Sequence, residues 1–255
     1  MRNVPGKVYL IGAGPGAPDL ITLRGAEILR RADIVFHDAL VHPGTLALAG
    51  RAEKIAVGKR CGKRATAQHF INKRLVDAAR KLRVVVRLKG GDPMLFGRAQ
   101  EEIAALEAAG VPYEVVPGVT AALAASAEAG ISLTQRGAAR SVAFVTARVG
   151  EGEAPSAWAQ NAAAADTAVI YMGAGQAEAV AAALIAAGAP RDLPVLVVEN
   201  ASLSDSRRIA LTLEELPQIS HHGLTGPTLI MIGRVYASAL AAAAGTDSLQ
   251  ACKTA

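Results

Sequence analysis

RLKGGDPMLFGR, residues Arg87 to Arg98, closes one apolar run and opens a turn. Val84-Val85-Val86 lead into it, Arg87 interrupts them, and Leu88 ends the run before Lys89, two glycines, an acid and a proline. Valine-rich runs favour strands, and Gly-Gly-Asp-Pro cannot continue one. Paired glycines turn sharply and let a ligand approach main-chain groups with no Cβ in the way. Asp92 can cap a following helix, and Pro93 suits its first turn. The segment therefore reads as strand, ligand-facing turn and helix start, placed where open α/β sheets bind ligands. An ordinary tight connection uses the same residue types, and these physical cues leave both readings open.

The ordered motif resembles RLKGGDPFxFGRGxEE of the S-adenosylmethionine-dependent tetrapyrrole methylases, and most of all their uroporphyrinogen-III-methylating branch. A pattern this long is far more specific than a lone glycine triplet. The resemblance implies a two-domain α/β tetrapyrrole methylase fold with its active site in the interdomain cleft. It implies an amino-terminal α/β domain over 1–120, a carboxy-terminal α/β domain over 121–243 and a flexible tail over 244–255.

Composition sets the outer bounds. A chain of 255 residues, 51% hydrophobic and only 4% aromatic, can bury a sizeable core filled mainly by alanine and valine. Its formal net charge of +5 suits an anionic small molecule and is too small and dispersed to argue for nucleic acid. No run of about 18 apolar residues and no basic-then-apolar leader is present, so the expectation is a cytoplasmic protein with no membrane partner. Cys61 and Cys252 are isolated thiols without metal-ligand spacing, which fits a reducing compartment.

KVYLIGAGPGAPDLIT, Lys7 to Thr22, runs from an apolar strand through a glycine-proline loop into a helix. The spacing of Gly12, Gly14 and Gly16 invites a dinucleotide reading, but Pro15 removes a backbone donor that a pyrophosphate would use. The stretch is similar to the family opening VYLVGAGPGDPxLLTL, with Ala17 in place of the acid. A second strand, Asp33 to Phe36, leads to His37-Asp38. A carboxylate at a strand's carboxyl end can serve in proton transfer or simply cap the next turn. The family shows YDRLV where this chain has HDALV, so Asp38 matches while His37 and Ala39 depart. A third strand from Glu53 opens a basic loop, VGKRCGKRA, in which Lys59, Arg60, Lys63 and Arg64 cluster. That loop reads equally as a solvated surface or an anion site. Residues 67–82 then form a helix.

AQEEIAALEAAG after Arg98 is a helix ended by Gly110. The family's GRGGEE becomes GRAQEE, which retains Arg98 and Glu101 and exchanges two glycines for better helix formers. The strand Tyr113–Val116 ends in PGVTAALAA, residues 131–140 read as an interdomain crossing, and SVAFVTAR begins a second α/β set. Gln135 and Arg148 replace residues of the family's LTHR and VTGH. Further strands are expected at about 167–172, 194–199 and 227–235, with the last helix closing at Gly245.

The resemblance implies S-adenosyl-L-methionine as co-substrate, with S-adenosyl-L-homocysteine as product and no metal. Its contacts would be Pro15, Gly90, Gly91, Asp92, Leu95, Thr120, Ala121, Met172, Ala201 and Thr228. The implied reaction is C-methylation of uroporphyrinogen III at two pyrrole carbons to precorrin-2, serving sirohaem, cobalamin or haem d1 formation. Asp38 would accept a proton, Lys59 donate one, and Arg98 and Glu101 act at the substrate. The alternatives are a related methylase acting on another substrate, such as a later corrin intermediate or ribosomal RNA, and a non-catalytic S-adenosylmethionine-binding protein. The family also implies a homodimer.

Overall fold

The computed structural model describes residues 6–57, 64–148 and 156–251, without the side chains of 64–67 and 245–251. The chain forms two compact units, Met1–Ala121 and Ala122–Ala255. The break falls in the first turn of a helix, and residues 131–140 belong to the second unit rather than to a crossing.

In the first unit five parallel strands alternate with helices: β1 (Lys7–Gly12), α1 (Leu23–Arg30), β2 (Ile34–His37), α2 (Pro43–Ala47), β3 (Glu53–Ala56), α3 (Arg64–Ala79), β4 (Val84–Lys89), α4 (Ala99–Ala108) and β5 (Tyr113–Val116). The sheet order is β3-β2-β4-β1-β5, which puts β4 at the centre. A central parallel strand is covered on both faces, so Val85 to Lys89 are all buried. Strand alternation divides them. Val86 and Leu88 join Ile28 and Leu29 of α1 in one core, and Val85 joins Leu75 of α3 with Ile103 and Leu106 of α4 in the other. Each fully buried leucine contributes about 1.5–3 kcal/mol by leaving water.

Asp92 and Pro93 do not begin a helix. Residues 93–97 form a turn and bends, and α4 starts only at Ala99, with Arg98 at its N-cap in the left-handed region (φ 55°). Phe96 is also left-handed at φ 53°, and two such residues so close together cannot extend an α-helix. At the other end, Gly110 has φ 63° and Val111 N–H returns to the Leu106 carbonyl, the expected glycine stop.

The second unit holds α5 (Ala121–Ala129), β6 (Val142–Thr146), α6 (Trp158–Ala164), β7 (Thr167–Tyr171), α7 (Ala177–Ala186), β8 (Pro194–Glu199), β9 (Arg207–Thr212), β10 (Thr228–Gly233) and α8 (Ala237–Ala251). Its sheet is mixed, in the order β6-β7-β10-β8-β9, with β10 antiparallel to both neighbours. The edge strand β9 escapes the hydrophobic pattern because Arg207 and Arg208 open it, a charged device that suits an exposed edge. α8 runs to Ala251, past the closure expected at Gly245 and into the segment expected to be a flexible tail.

Candidate functional site

All five strands of the first unit point their carboxyl ends the same way, so the loops that follow β1, β2, β4 and β5 gather at one edge. Three of these loops meet backbone to backbone. Gly91 donates its N–H to the Gly14 carbonyl at 2.7 Å, and Ala13 donates to the Lys89 carbonyl at 2.7 Å. A Cβ on Gly12 would lie 2.5 Å from Gly118 Cα, and one on Gly118 would lie 2.3 Å from the Gly91 carbonyl oxygen. No side chain fits at either position.

Gly90 and Gly91 are different. An added Cβ at Gly90 would only touch Leu40 Cβ at 3.4 Å, and at Gly91 the sole neighbour within 4 Å is Thr120 Cα at 3.9 Å. Both Cα faces therefore look into open space that a side chain would occupy. This is an open main-chain cradle suited to a ligand lying against the backbone. Asp92 holds the cradle's far side, with Oδ1 accepting from Met94 N–H and Oδ2 from Gly118 N–H, each at 2.8 Å. Thr120 and Ala121 follow directly from Gly118 and Val119, and half-buried Pro15 and Leu95 stand in the adjoining loops.

In the second unit the register gathers the other candidates. Thr228 is opposite Glu199, and Leu229 is opposite Tyr171. Met172, one residue beyond β7, and Ala201, two beyond β8, thus stand at the same sheet end as Thr228. Met172 is 48% exposed, unlike a core methionine, while Ala201 is buried. Glu199 fixes the loop before β10: its Oε1 accepts from Thr225 N–H at 2.6 Å and Gly226 N–H at 2.7 Å. The Thr228 hydroxyl donates to the Gly226 carbonyl at 3.0 Å. A depression of about 580 Å³ lined partly by Gln176, Pro217, Ser220 and Thr225 adjoins Thr228 and none of the other candidate positions.

Backbone strain marks the same loops. Among the described residues the non-glycines with left-handed φ are Phe96, Arg98, Met172, Asn200 and Ser202. Each lies in the turn after β4 or in the loops carrying Met172 and Ala201. Such conformations cost of order 1–3 kcal/mol each and cluster at ligand sites.

The proposed acid-base residues divide. Asp38 stands past the end of β2, beside β4, and its N–H bonds the Leu88 carbonyl. Arg87 Nη2 donates to Asp38 Oδ1 at 2.5 Å. Lys59 lies outside the described residues. Arg98 and Glu101, expected at the substrate, form a two-point pair with each other at 2.6 and 2.8 Å, about half exposed. Neither is committed to the buried interior.

A buried ionic cluster behind Asp38 escaped the sequence reading. Glu102, fully buried on α4, accepts from Arg87 Nε at 2.8 Å, Lys89 Nζ at 3.1 Å and Gln68 Nε2 at 3.4 Å. Arg87 Nη1 also donates to the Leu88 carbonyl at 3.2 Å. Burial alone would lower the Arg87 pKa, but the charges of Glu102 and Asp38 prevail and hold it above its usual value. Burial and then the neighbouring Arg87 charge push the Lys89 ammonium below its usual range, against the pull of Glu102. The available signal was two cations spaced i, i+2 inside a valine strand, which places both on one buried face. Among the described residues, no three His, Cys, Asp or Glu side chains come together as a metal site.

Residues 7–217 match the family of Tetrapyrrole (Corrin/Porphyrin) Methylases. Siroheme synthase 1 of Klebsiella pneumoniae is 46% identical over 231 residues, which are 90% of this chain and 49% of that protein. The chain thus spans about half the length of the curated relatives it matches. The native form of uroporphyrin III C-methyl transferase from Thermus thermophilus is 41% identical with a TM-score of 0.81, covering 91% of this chain and 100% of that one. The Thermus thermophilus enzyme complexed with S-adenyl homocysteine is 40% identical with a TM-score of 0.79 over 91% and 100% of the respective chains.

Proposed function

We propose a function from the premise that this chain belongs to the tetrapyrrole (corrin/porphyrin) methylases, which its residues 7–217 match. The proposed activity is S-adenosylmethionine-dependent C-methylation of uroporphyrinogen III at two pyrrole carbons, giving precorrin-2. The observation that carries it is the pairing of two features on the neighbouring strands β2 and β4. One is the open main chain at Gly90 and Gly91, and the other is the Asp38 carboxylate gripped by Arg87.

S-adenosylmethionine supplies a methyl group already activated on a sulfonium. The chain's task is alignment, which in favourable cases is worth about 7–11 kcal/mol. The contacts proposed for it are Pro15, Gly90 to Asp92, Leu95, Thr120, Ala121, Met172, Ala201 and Thr228. Gly90 and Gly91 fit that role because no side chain covers their main chain. After methylation the ring carries a positive charge. Asp38 accepts a proton from the methylene bridge beside the methylated ring, the C–H electron pair restores a neutral conjugated system, and the carboxylic acid then loses its proton to solvent. Asp38 suits this because one oxygen is held by Arg87 while its side chain is 33% exposed. Lys59 is retained as the proposed proton donor, and Arg98 with Glu101 as the proposed substrate contact.

The test is an anaerobic assay of the purified chain with uroporphyrinogen III and S-adenosylmethionine, products read by mass. Two added methyl groups are expected. Cofactor binding without methyl transfer would leave a binding protein, and methylation only of a later corrin would move the substrate. A homodimer is proposed on family grounds, with exposed Leu23, Leu40 and Leu123 available to be covered. A monomer mass by light scattering would refute it.

A further inference from the structure

The buried cluster on β4 demands an explanation beyond stability. Arg87 and Lys89 occupy a face of the central strand that Val85 shows can be apolar, and Glu102 is fully buried on a helix whose next inward residues are Ile103 and Leu106. Exchanging such an ionic cluster for well-packed apolar residues is often neutral, or stabilising by about 1–4 kcal/mol. Folding alone does not call for these charges. What the cluster does accomplish is directional. Glu102 Oε1 receives Arg87 Nε, and the same planar fork presents Nη2 to Asp38 Oδ1. The guanidinium is rigid, so fixing Nε fixes where Nη2 points. Gln68 on α3 and Lys89 on β4 anchor the Glu102 carboxylate in turn. Asp38 Oδ2 takes no hydrogen bond from the described residues, so one carboxylate oxygen is aimed and the other is left for a proton.

We infer that Glu102 is a positioning residue for the reaction, holding Arg87 so that the Asp38 carboxylate is oriented to accept its proton. The inference rests on the proposed role of Asp38. Glu102 is too deeply buried to meet substrate, and its action passes wholly through the Arg87 fork. The expected consequence of moving it is a loss of turnover without loss of cofactor affinity.

A double-mutant cycle tests this with the full chain, uroporphyrinogen III and S-adenosylmethionine. Glu102→Gln should lower kcat by about tenfold or more while the S-adenosylmethionine Kd by calorimetry stays within about twofold. In an Asp38→Asn background the same change should lower single-turnover rates less than about twofold further, because residues acting as one unit are not additive. Should Glu102→Gln fail to give a cooperative melt, Glu102→Asp carries the same cycle, since it keeps the buried charge and withdraws the oxygens by one methylene. Equal losses from the Glu102 change in both backgrounds would make it structural and overturn the inference alone. Near-normal turnover of Asp38→Asn by itself would overturn the proton-acceptor reading, and the inference with it.

Discussion

Asp92 Oδ2 accepts the main-chain N–H of Gly118 at 2.8 Å, tying the turn after β4 to the turn after β5. The other carboxylate oxygen accepts from Met94 N–H at 2.8 Å, so a single side chain sets the shape of both loops. Hydrogen bonds to a charged group contribute about 1.5–3 kcal/mol. Asp92→Ala should therefore lower stability by about 2–3 kcal/mol in urea unfolding and weaken S-adenosylmethionine binding as well. An unchanged unfolding midpoint would show that the two loops hold their positions without it.

The two adjoining glycines should respond differently to substitution. The sequence alone suggests that Gly91→Val blocks cofactor and leaves the fold intact. Gly91 sits at φ 66°, however, where a β-branched residue is strained by about 1–3 kcal/mol. Gly90 carries no such constraint, and its added Cβ meets only Leu40 at an ordinary contact distance. Gly90→Val should keep its melting temperature and lose cofactor affinity about tenfold or more, while Gly91→Val loses both. Calorimetry and thermal melts of the pair separate the effects.

Arg98 offers a fork to Glu101 in two-point fashion on an exposed surface. A helix pair of this kind is worth only about 0.2–0.5 kcal/mol, so a substrate carboxylate can displace it cheaply. Arg98→Lys keeps charge and loses the fork. The expected result is a several-fold rise in KM for uroporphyrinogen III with cofactor affinity unaltered. Unaltered steady-state kinetics would reduce Arg98 to the surface pair seen here.

Acid should weaken the second unit through Glu199. The N–H of Gly226, aided by that of Thr225 and by the Arg207 guanidinium, holds its carboxyl below the ordinary 4.5, against the opposite pull of burial. A depressed folded-state value means the stabilisation is fully present above the unfolded value. It is lost as pH falls from about 4.5 through the folded value. Glu199→Gln keeps an acceptor oxygen but no charge, so it should cost about 1 kcal/mol near neutral pH. The gap from the parent should close below pH 4.5 in melts followed by calorimetry, and a constant gap would remove the ionised carboxylate from the account.

By itself the sequence marked most of the strands, though not β9, and singled out the loop residues proposed for the site. Valine-rich runs and glycine-proline turns are local signals, and the RLKGGDP pattern carried the family because its order is preserved in the chain. It could not place Asp92, whose acid-proline pair reads as a helix start. The two left-handed residues at Phe96 and Arg98 postpone α4 to Ala99, and Asp92 is used instead to reach Gly118. Nor could it separate Glu101 from Glu102, adjacent acids of the same type. One turns to water and Arg98, and the other is sealed between α3, α4 and β4 against Arg87 and Lys89. A helix rotates about 100° per residue, so neighbours in sequence face different surroundings, and which of them is buried is decided by what packs there. The same holds for Met172: methionine is a residue type usually buried, yet this one stands half exposed beyond β7 because the register with β10 ends there. Long-range pairing, absent from any local pattern, gave these residues their chemistry.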